Sequence, residues 1–300
     1  LGNDFIILEE LGRGGMGIVY FAHQISLDRP AALKVLSQKY ASNNEFVAGF
    51  IKEARSAAKL NHPNIVQAYA VGEDSSIYYF AMEYIEGETM KDVLKKYGKI
   101  PMDYAIEVIR QIADALDFAW KEQRLIHRDI KPDNIMIVAK NNRAKLADLG
   151  LARIAGEVDD SKDDEVMGTP QYISPEHLTG APMDVRSDIY SLGATFYHLV
   201  TGVFPFTGKN ALEIAKKHLE EPLKDPRFAN REIPESIAQI IIKMMEKNPD
   251  ARYQTAEALI EDLNLSKKSG KKARTVIFHT GQFKAPLPGQ SMSTTSSHLN

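Results

Sequence analysis

Residues 125–150 read LIHRDIKPDNIMIVAKNNRAKLADLG, and their reading decides the fold. Two short apolar strands, Ile135–Val138 and Lys145–Ala147, are joined by the turn-forming pair Asn141–Asn142. Polar groups crowd both ends: His127, Arg128, Asp129, Lys131 and Asn134 precede the hairpin, and Asp148 follows it. Phosphoryl transfer calls for such a collection, because it is largely positioning plus neutralisation of oxygen charge. Asp129 can accept a hydroxyl proton, while Asn134 and Asp148 offer oxygen to Mg²⁺, a hard cation. Solvated loops are also rich in Asp, Asn and Lys. They seldom space H-R-D, an asparagine and D-x-G in this order and at these intervals.

Composition sets the outer bounds. The chain has 300 residues, 44% hydrophobic and 26% charged, enough core for one or two globular domains. A formal charge of −3 selects no particular partner. Cysteine is absent, which excludes a disulfide frame, a thiol nucleophile and a cysteine-based metal site, and suits a reducing compartment. No apolar run approaches the roughly 18–20 residues of a membrane span. The opening LGNDFIILEELG is not a signal peptide, and it lies so close to the first strand that a fragment of a longer protein is expected.

Residues 4–36 read as three strands broken by glycine. Between the first two lies Gly12-Arg13-Gly14-Gly15-Met16-Gly17, whose backbone N–H groups can approach phosphate oxygens without side-chain interference. The same spacing marks dinucleotide-binding folds, where a helix follows the last glycine. Here Ile18, Val19 and Tyr20 follow, so a strand is expected instead. Lys34 stands in the apolar strand Ala31-Ala32-Leu33-Lys34; taken alone it is equally a lysine snorkelling from a strand edge. A helix is expected over 45–61, carrying Glu53 and stopped by His62-Pro63-Asn64. Strands at 65–72 and 77–84 end in Met82-Glu83-Tyr84-Ile85, and Met90–Tyr97 resumes as helix. Between 103 and 122, Ile106, Ile109, Ile112, Ala113, Leu116 and Trp120 form one apolar stripe, read as scaffold beneath the hairpin. Helices are expected again at 184–199, 211–220, 236–245 and 255–263.

Taken together, H-R-D-I-K-P-D-N followed by D-L-G resembles the catalytic core of eukaryotic-type protein kinases, including bacterial Ser/Thr kinases. The resemblance covers about residues 4–264. It implies an α+β bilobal fold: a small, mainly β N-lobe (about 4–82) with one regulatory helix, a hinge (about 83–88) and a larger, mainly α C-lobe (about 89–264). It implies transfer of the ATP γ-phosphoryl group to Ser or Thr hydroxyls of proteins, with Mg²⁺, or Mn²⁺ in its place, as the metal. By resemblance Asp129 is the base, Lys131 steadies the γ-phosphate, Lys34 oriented by Glu53 holds the α- and β-phosphates, and Asn134 and Asp148 bind metal. Gly12, Arg13, Gly14, Gly15, Met16 and Gly17 would cover the nucleotide. Leu11, Val19 and Ala32 would sandwich adenine against Met136, with backbone groups of Glu83 and Ile85 at its edge and Met82 behind it.

Further on, Gly168–Glu176 (GTPQYISPE) resembles the close of an activation segment, with Ser174 where the family usually has alanine; Leu149 likewise replaces a commoner phenylalanine. Lys131 and Thr169 favour a Ser/Thr over a Tyr kinase, Thr169 tying the substrate platform to the catalytic loop. Asp188 is expected to accept bonds from the backbone near His127 and Arg128, and Arg252 to pair with Glu176. The acidic run Glu157–Glu165 is either a solvated loop or, directly or through phosphorylated Ser161, a partner of Arg128. From Ser266 to Asn300 there are six Lys/Arg and no acids, so 265–300 reads as a basic, Ser/Thr-rich flexible tail that is either a solvated linker or in weak contact with anionic lipid or an acidic partner. Protein substrates and a second copy for trans-autophosphorylation are the expected partners, nucleic acid is not, and a cytoplasmic location is expected, as the inner domain of a membrane-anchored receptor or otherwise. A pseudokinase that signals by shape is the alternative; the presence of Lys34, Glu53, Asp129, Asn134 and Asp148 argues against it.

Overall fold

The structure, a computed structural model, describes residues 1–148 and 170–269. The first three strands follow the glycine breaks: β1 (Phe5–Gly14), β2 (Gly17–Gln24) and β3 (Arg29–Leu36). With β4 (Ala68–Asp74) and β5 (Ile77–Glu83) they form an antiparallel sheet in the order β1-β2-β3-β5-β4. A strand, not a helix, follows Gly17, and the dinucleotide-fold alternative falls there. Between β3 and β4 lie the single turn α1 (Gln38–Ala41) and α2 (Asn44–Ala57). The Asn43 side chain accepts from the N–H groups of Glu45 and Phe46, satisfying two of the donors that a helix start leaves unpaired. Phe46, Phe50, Ala54 and Ala57 form the buried stripe of α2, packed with Ala32, Phe80 and Met82 of the sheet.

α2 ends four residues before the expected Asn61. The N–H groups of Lys59 and Leu60 turn back to Ser56 and Ala57 three residues away, and this tighter turn delivers Leu60 into the core of the second lobe. Burying a leucine stabilises by about 2 kcal/mol, more than a last helical turn contributes.

The second lobe is built around α4 (Met102–Gln123), whose face of Ala105, Ile106, Ile109, Ile112, Ala113 and Leu116 is buried. Trp120, expected in the same stripe, is only half-buried, with the Arg124 guanidinium 5.1 Å from its ring centre. Against α4 pack α6 (Val185–Thr201) and α9 (Ala256–Ser269), with α8 (Glu235–Met244) behind α6. The short α3 (Met90–Tyr97), α5 (Pro175–Thr179) and α7 (Ala211–Glu220) complete the lobe. α3 starts on a reciprocal cap: Thr89 accepts from the Asp92 N–H and Asp92 from the Thr89 N–H. α9 continues past the change of composition at Ser266, because the Ser266 hydroxyl bonds the Leu263 carbonyl and Lys267 bonds Glu107 of α4.

Between the lobes lies a small second sheet in the order β6-β7-β8: β6 (Gly87–Thr89), β7 (Ile135–Val138) and β8 (Ala144–Leu146). β7 matches the expected strand and β8 starts one residue earlier than expected. At its open end, where Ile135 pairs Leu146, this hairpin carries the loop before β7 and Asp148 after β8.

Candidate active site

The loop before β7 is shaped from beneath. Asp188, near the start of α6 and 1% exposed, accepts from the backbone N–H of His127 (2.7 Å) and of Arg128 (2.8 Å). Arg128 sits at φ +70°, an unfavourable region for a non-glycine residue, and the Asp188 anchor holds it there. Burial pushes the Asp188 carboxyl up, against the pull of His127 and of these N–H bonds. The His127 ring spans the loop: Nδ1 accepts from the Asp129 N–H (3.2 Å), and Nε2 lies 2.8 Å from the Ala147 carbonyl, just before Asp148.

Four of the expected groups meet around this frame. The Asn134 side-chain Nδ2 donates to the Asp129 carbonyl (2.8 Å) and to Asp129 Oδ2 (2.9 Å), which leaves Asn134 Oδ1 as the atom suited to a cation. Lys131 Nζ lies 2.7 Å from Asp129 Oδ2. Both partners hold the same carboxylate oxygen, so Asp129 Oδ1 remains to receive a hydroxyl proton. The Ala147 N–H donates to the Asn134 carbonyl (2.9 Å), so the end of β8 is fastened to the loop, and Asp148 follows at φ +57°.

Lys34 reaches this cluster from β3. The residue is 8% exposed, and its Nζ lies 2.8 Å from Asp148 Oδ2. A strand-edge lysine snorkelling to solvent would not be so placed. Burial raises the Asp148 carboxyl, but Lys34, His127 and Lys131 outweigh it and hold the group below its usual value. The expected partner Glu53 is on α2, with its side chain outside the described part of the structure. Thr169, Leu149, Gly150, Ser161 and the run 157–165 also lie outside the described residues, as does the tail from residue 270.

The glycines of the expected nucleotide cradle differ in what packing demands of them. A Cβ on Gly12, Gly14 or Gly15 would meet nothing within 4 Å, whereas one on Gly17 would stand 1.9 Å from the Val35 carbonyl oxygen. The first three glycines are therefore not demanded by packing and leave the space an incoming phosphate needs, while Gly17 is required by the sheet itself. Arg13 turns out of the cradle to Glu10 (2.9 Å), and Met16 packs on the sheet core. Ala32 pairs with Met82 across the sheet, and both join Val19 in one apolar cluster. Leu11 is exposed on β1, Ile85 is buried, and Met136 is half-buried on β7.

Asn134 and Asp148 are the residues able to hold a divalent metal. Among the described residues no group of three or more His, Cys, Asp or Glu side chains forms a metal cage. Two protein oxygens with the remaining positions left to water and phosphate suit Mg²⁺, which keeps part of its water shell.

One part of the site is invisible to motif reading. Lys145 on β8 donates to Glu83 Oε2 at the hinge (2.7 Å) and to the Ile65 carbonyl (3.3 Å), and Glu83 Oε2 also accepts from the Gln67 N–H (3.1 Å). Backbone bonds from Val66 to Leu146 (2.9 Å) and from Leu146 to Asn64 (2.8 Å) complete a seam between the lobes. A lone lysine in the otherwise apolar A-K-L-A run was the available signal. The segment from Pro170 onward is braced by Tyr172, whose hydroxyl lies 2.7 Å from His198 Nδ1, and by the Glu176–Arg252 pair at 2.6 and 2.9 Å.

The protein kinase domain family matches residues 5–263. A probable serine/threonine-protein kinase of Clostridium perfringens is 41% identical over 268 residues, covering 89% of this chain and 39% of that protein. Serine/threonine-protein kinase PrkC of Bacillus subtilis is 41% identical over 257 residues (86% and 39%), and PknB of Mycolicibacterium smegmatis 39% over 269 (88% and 43%). The chain thus spans about two-fifths of the length of these relatives. Among solved structures, the PknI kinase domain of Mycobacterium tuberculosis superposes with a TM-score of 0.71 at 26% identity, covering 87% of this chain and 96% of that one. With fold, loop geometry and sequence in agreement, the chain belongs to the eukaryotic-type protein kinase family and is related to bacterial Ser/Thr kinases.

Proposed function

We propose that the chain is an active, ATP-dependent protein Ser/Thr kinase, with Mg²⁺ as its metal and its own Ser/Thr residues among its substrates. The observation that carries this reading is the two sets of contacts Lys131–Asp129–Asn134 and Lys34–Asp148, at 2.7–2.9 Å. Asp129, Lys131, Asp148 and Lys34, charged groups that phosphoryl transfer asks for, are present and paired at the base of the cleft. That favours catalysis over a pseudokinase, which would have lost one of them.

In this reading Asp129 Oδ1 orients the acceptor hydroxyl and takes its proton as its oxygen bonds to the γ-phosphorus and the bond to the bridging oxygen of ADP breaks. Lys131 holds the other Asp129 oxygen and faces the transferred phosphoryl group. Lys34 leaves Asp148 in part to take the α- and β-phosphates, and the Asp148 carboxylate, held ionised, is freed for the cation. A bound Mg²⁺ would neutralise phosphate charge and fix its orientation. Gly12–Gly15 cover the phosphates with backbone, and Ala32, Val19 and Met136 flank the base. Trans-phosphorylation between copies and a place on the cytoplasmic side belong to the same proposal; no helix among the described residues is long and apolar enough to cross a membrane.

The test is intact mass of the purified chain before and after Mg²⁺-ATP, beside Asp129→Asn. Stepwise gain of phosphate in the unaltered chain alone is expected. Nucleotide binding with no transfer, either to itself or to a generic protein substrate, would overturn catalysis in favour of the shape-signalling alternative.

A further inference from the structure

The turn Pro170–Tyr172 packs on α6 and on α7, and a tyrosine–histidine pair stands at each contact. The first pair, Tyr172 with His198 of α6, belongs to the turn itself. The second joins Tyr190 of α6 to His218 of α7, the hydroxyl 2.9 Å from Nδ1. His218 is wholly buried, its ring T-shaped against Phe206 with centres 4.8 Å apart. Lys247 closes the unit. Its Nζ donates to the carbonyls of His218 (2.7 Å) and Lys217 (3.2 Å) and lies 4.3 Å from the centre of the Phe206 ring. Burial, with the Lys247 charge beside it, lowers His218 to about 3, so the ring is neutral.

A neutral imidazole has one donor and one acceptor nitrogen, and the neighbours decide which is which. Lys247 Nζ, a donor only, lies 3.4 Å from the Tyr190 oxygen, so the hydroxyl proton points to His218 Nδ1 and the ring proton resides on Nε2. Among the described residues Nε2 has no full hydrogen bond, and the Gln171 backbone is the group near enough to favour a proton on the ring. A buried N–H held short of its acceptor forfeits free energy that a small movement would recover. Gln171 Oε1, in the same turn, is likewise buried without a partner among the described residues. Two unspent polar groups therefore meet where α7 supports the turn, and the phosphoryl-transfer cluster uses neither.

We propose that His218 is a positioning residue for the protein substrate: with Tyr190 it supports the Pro170–Tyr172 turn, and its Nε2–H closes on the Gln171 backbone carbonyl when a substrate chain loads that turn. The proposal rests on the kinase reading, with residues 168–176 as the platform for the acceptor chain. A bond completed only in the loaded state adds to substrate affinity, because a ligand shifts a conformation by what it gains in one state over the other. The nucleotide site lies on other elements and gains nothing from it.

The test is steady-state phosphorylation of myelin basic protein by the full chain and by His218→Phe, which keeps a ring and removes both nitrogens. The Tyr190 hydroxyl retains the carbonyl of residue 218 at 3.5 Å as an acceptor. KM for the protein substrate should rise about 3–10-fold, the worth of one hydrogen bond, while KM for ATP and kcat stay within about twofold. His218→Gln, which carries an amide N–H to about the place of Nε2, should recover most of the rise. Ile237→Val, a small cavity in the buried face of α8, should lower the unfolding midpoint and leave both KM values alone. An unchanged KM in His218→Phe, a fall in kcat alone, no recovery in His218→Gln, or an equal rise in Ile237→Val would overturn the proposal. Failure of the unaltered chain to phosphorylate itself or the substrate would instead overturn the kinase reading. Amide exchange over residues 170–176 would then decide: adding the substrate should slow it in the unaltered chain and not in His218→Phe, and equal behaviour of the two would refute the role of His218.

Discussion

Arg252 offers the sharpest test of how the second lobe is held. Its side chain is fully buried and makes five hydrogen bonds: two to Glu176 (2.6 and 2.9 Å), and one each to the carbonyls of Arg186 (2.9 Å), Glu246 (2.7 Å) and Lys247 (3.0 Å). Arg252→Met keeps most of the volume and removes every donor. It leaves a carboxylate, 6% exposed, without its counter-charge, and breaking one half of a buried pair costs about 3–5 kcal/mol. For a lobe of this size that is a fall in Tm of about 8–16 °C. The pH dependence gives a second handle. Burial works to raise Glu176, but the Arg252 bonds prevail and hold it below its usual 4.5, so the pair's contribution is present above that value and fades as pH falls through the lowered one. Without Arg252 only the Ser187 and backbone bonds still oppose burial, so Glu176 rises, and its protonation relieves the variant. The gap between the two proteins should narrow as pH is lowered from 7 towards 5. Adding Glu176→Gln should recover much of the loss, because the second change removes the stranded charge. Thermal unfolding of the four proteins of this cycle at pH 7 and pH 5 is the assay. A loss below about 1 kcal/mol for Arg252→Met, or strict additivity in the double variant, would refute the reasoning.

Other expectations follow from the site and its supports. Lys34→Met should lower phosphorylation of a peptide by on the order of a hundredfold, with the unfolding midpoint changed by less than about 1 kcal/mol-equivalent, read by radiolabel transfer and calorimetry. Gly17→Ala should destabilise the N-lobe through the clash with the Val35 carbonyl, whereas Gly12→Ala should unfold normally and show its effect in KM for ATP. Tyr172→Phe, which removes the hydroxyl at His198 Nδ1, should cost about 1 kcal/mol and raise KM for peptide more than KM for ATP. Burial lowers His198 to about 4, so the folded chain resists a proton that the unfolded chain takes up below its usual 6.5. Stability should therefore drop between pH 6.5 and pH 4, and less steeply in His198→Asn, as followed by thermal scans across that range.

Sequence reading reached farthest where the chemistry is compressed into one run of chain. Asp129, Lys131 and Asn134 are close in space because they are close in number, and the anchoring of His127 and Arg128 by Asp188 came with the family resemblance. It stopped short where geometry is made by distant segments. Lys34 rests on Asp148, 114 residues on, a contact with no local signal; its expected partner Glu53 has its side chain outside the described part of the structure. The end of α2 was missed because Leu60 is claimed by a core in the other lobe, and periodicity along α2 cannot register that. α9 outran the change in composition at Ser266 because a lysine there had an acid to meet on α4.

The seam made by Asn64–Gln67, Glu83 and β8 has a mechanical consequence. The strand that delivers Asp148 belongs to both lobes at once, being bonded to the hinge through Lys145 and to the catalytic loop through Ala147. Any swing of one lobe against the other must then pivot near this seam, as a door turns on its hinge-post. Points on the pivot hardly move, and displacement grows with distance from it. With the nucleotide bound as proposed, its base would sit by the post and the glycine hairpin would be the free edge of the door, so opening and closing would act on the phosphates while the purine end stays nearly still.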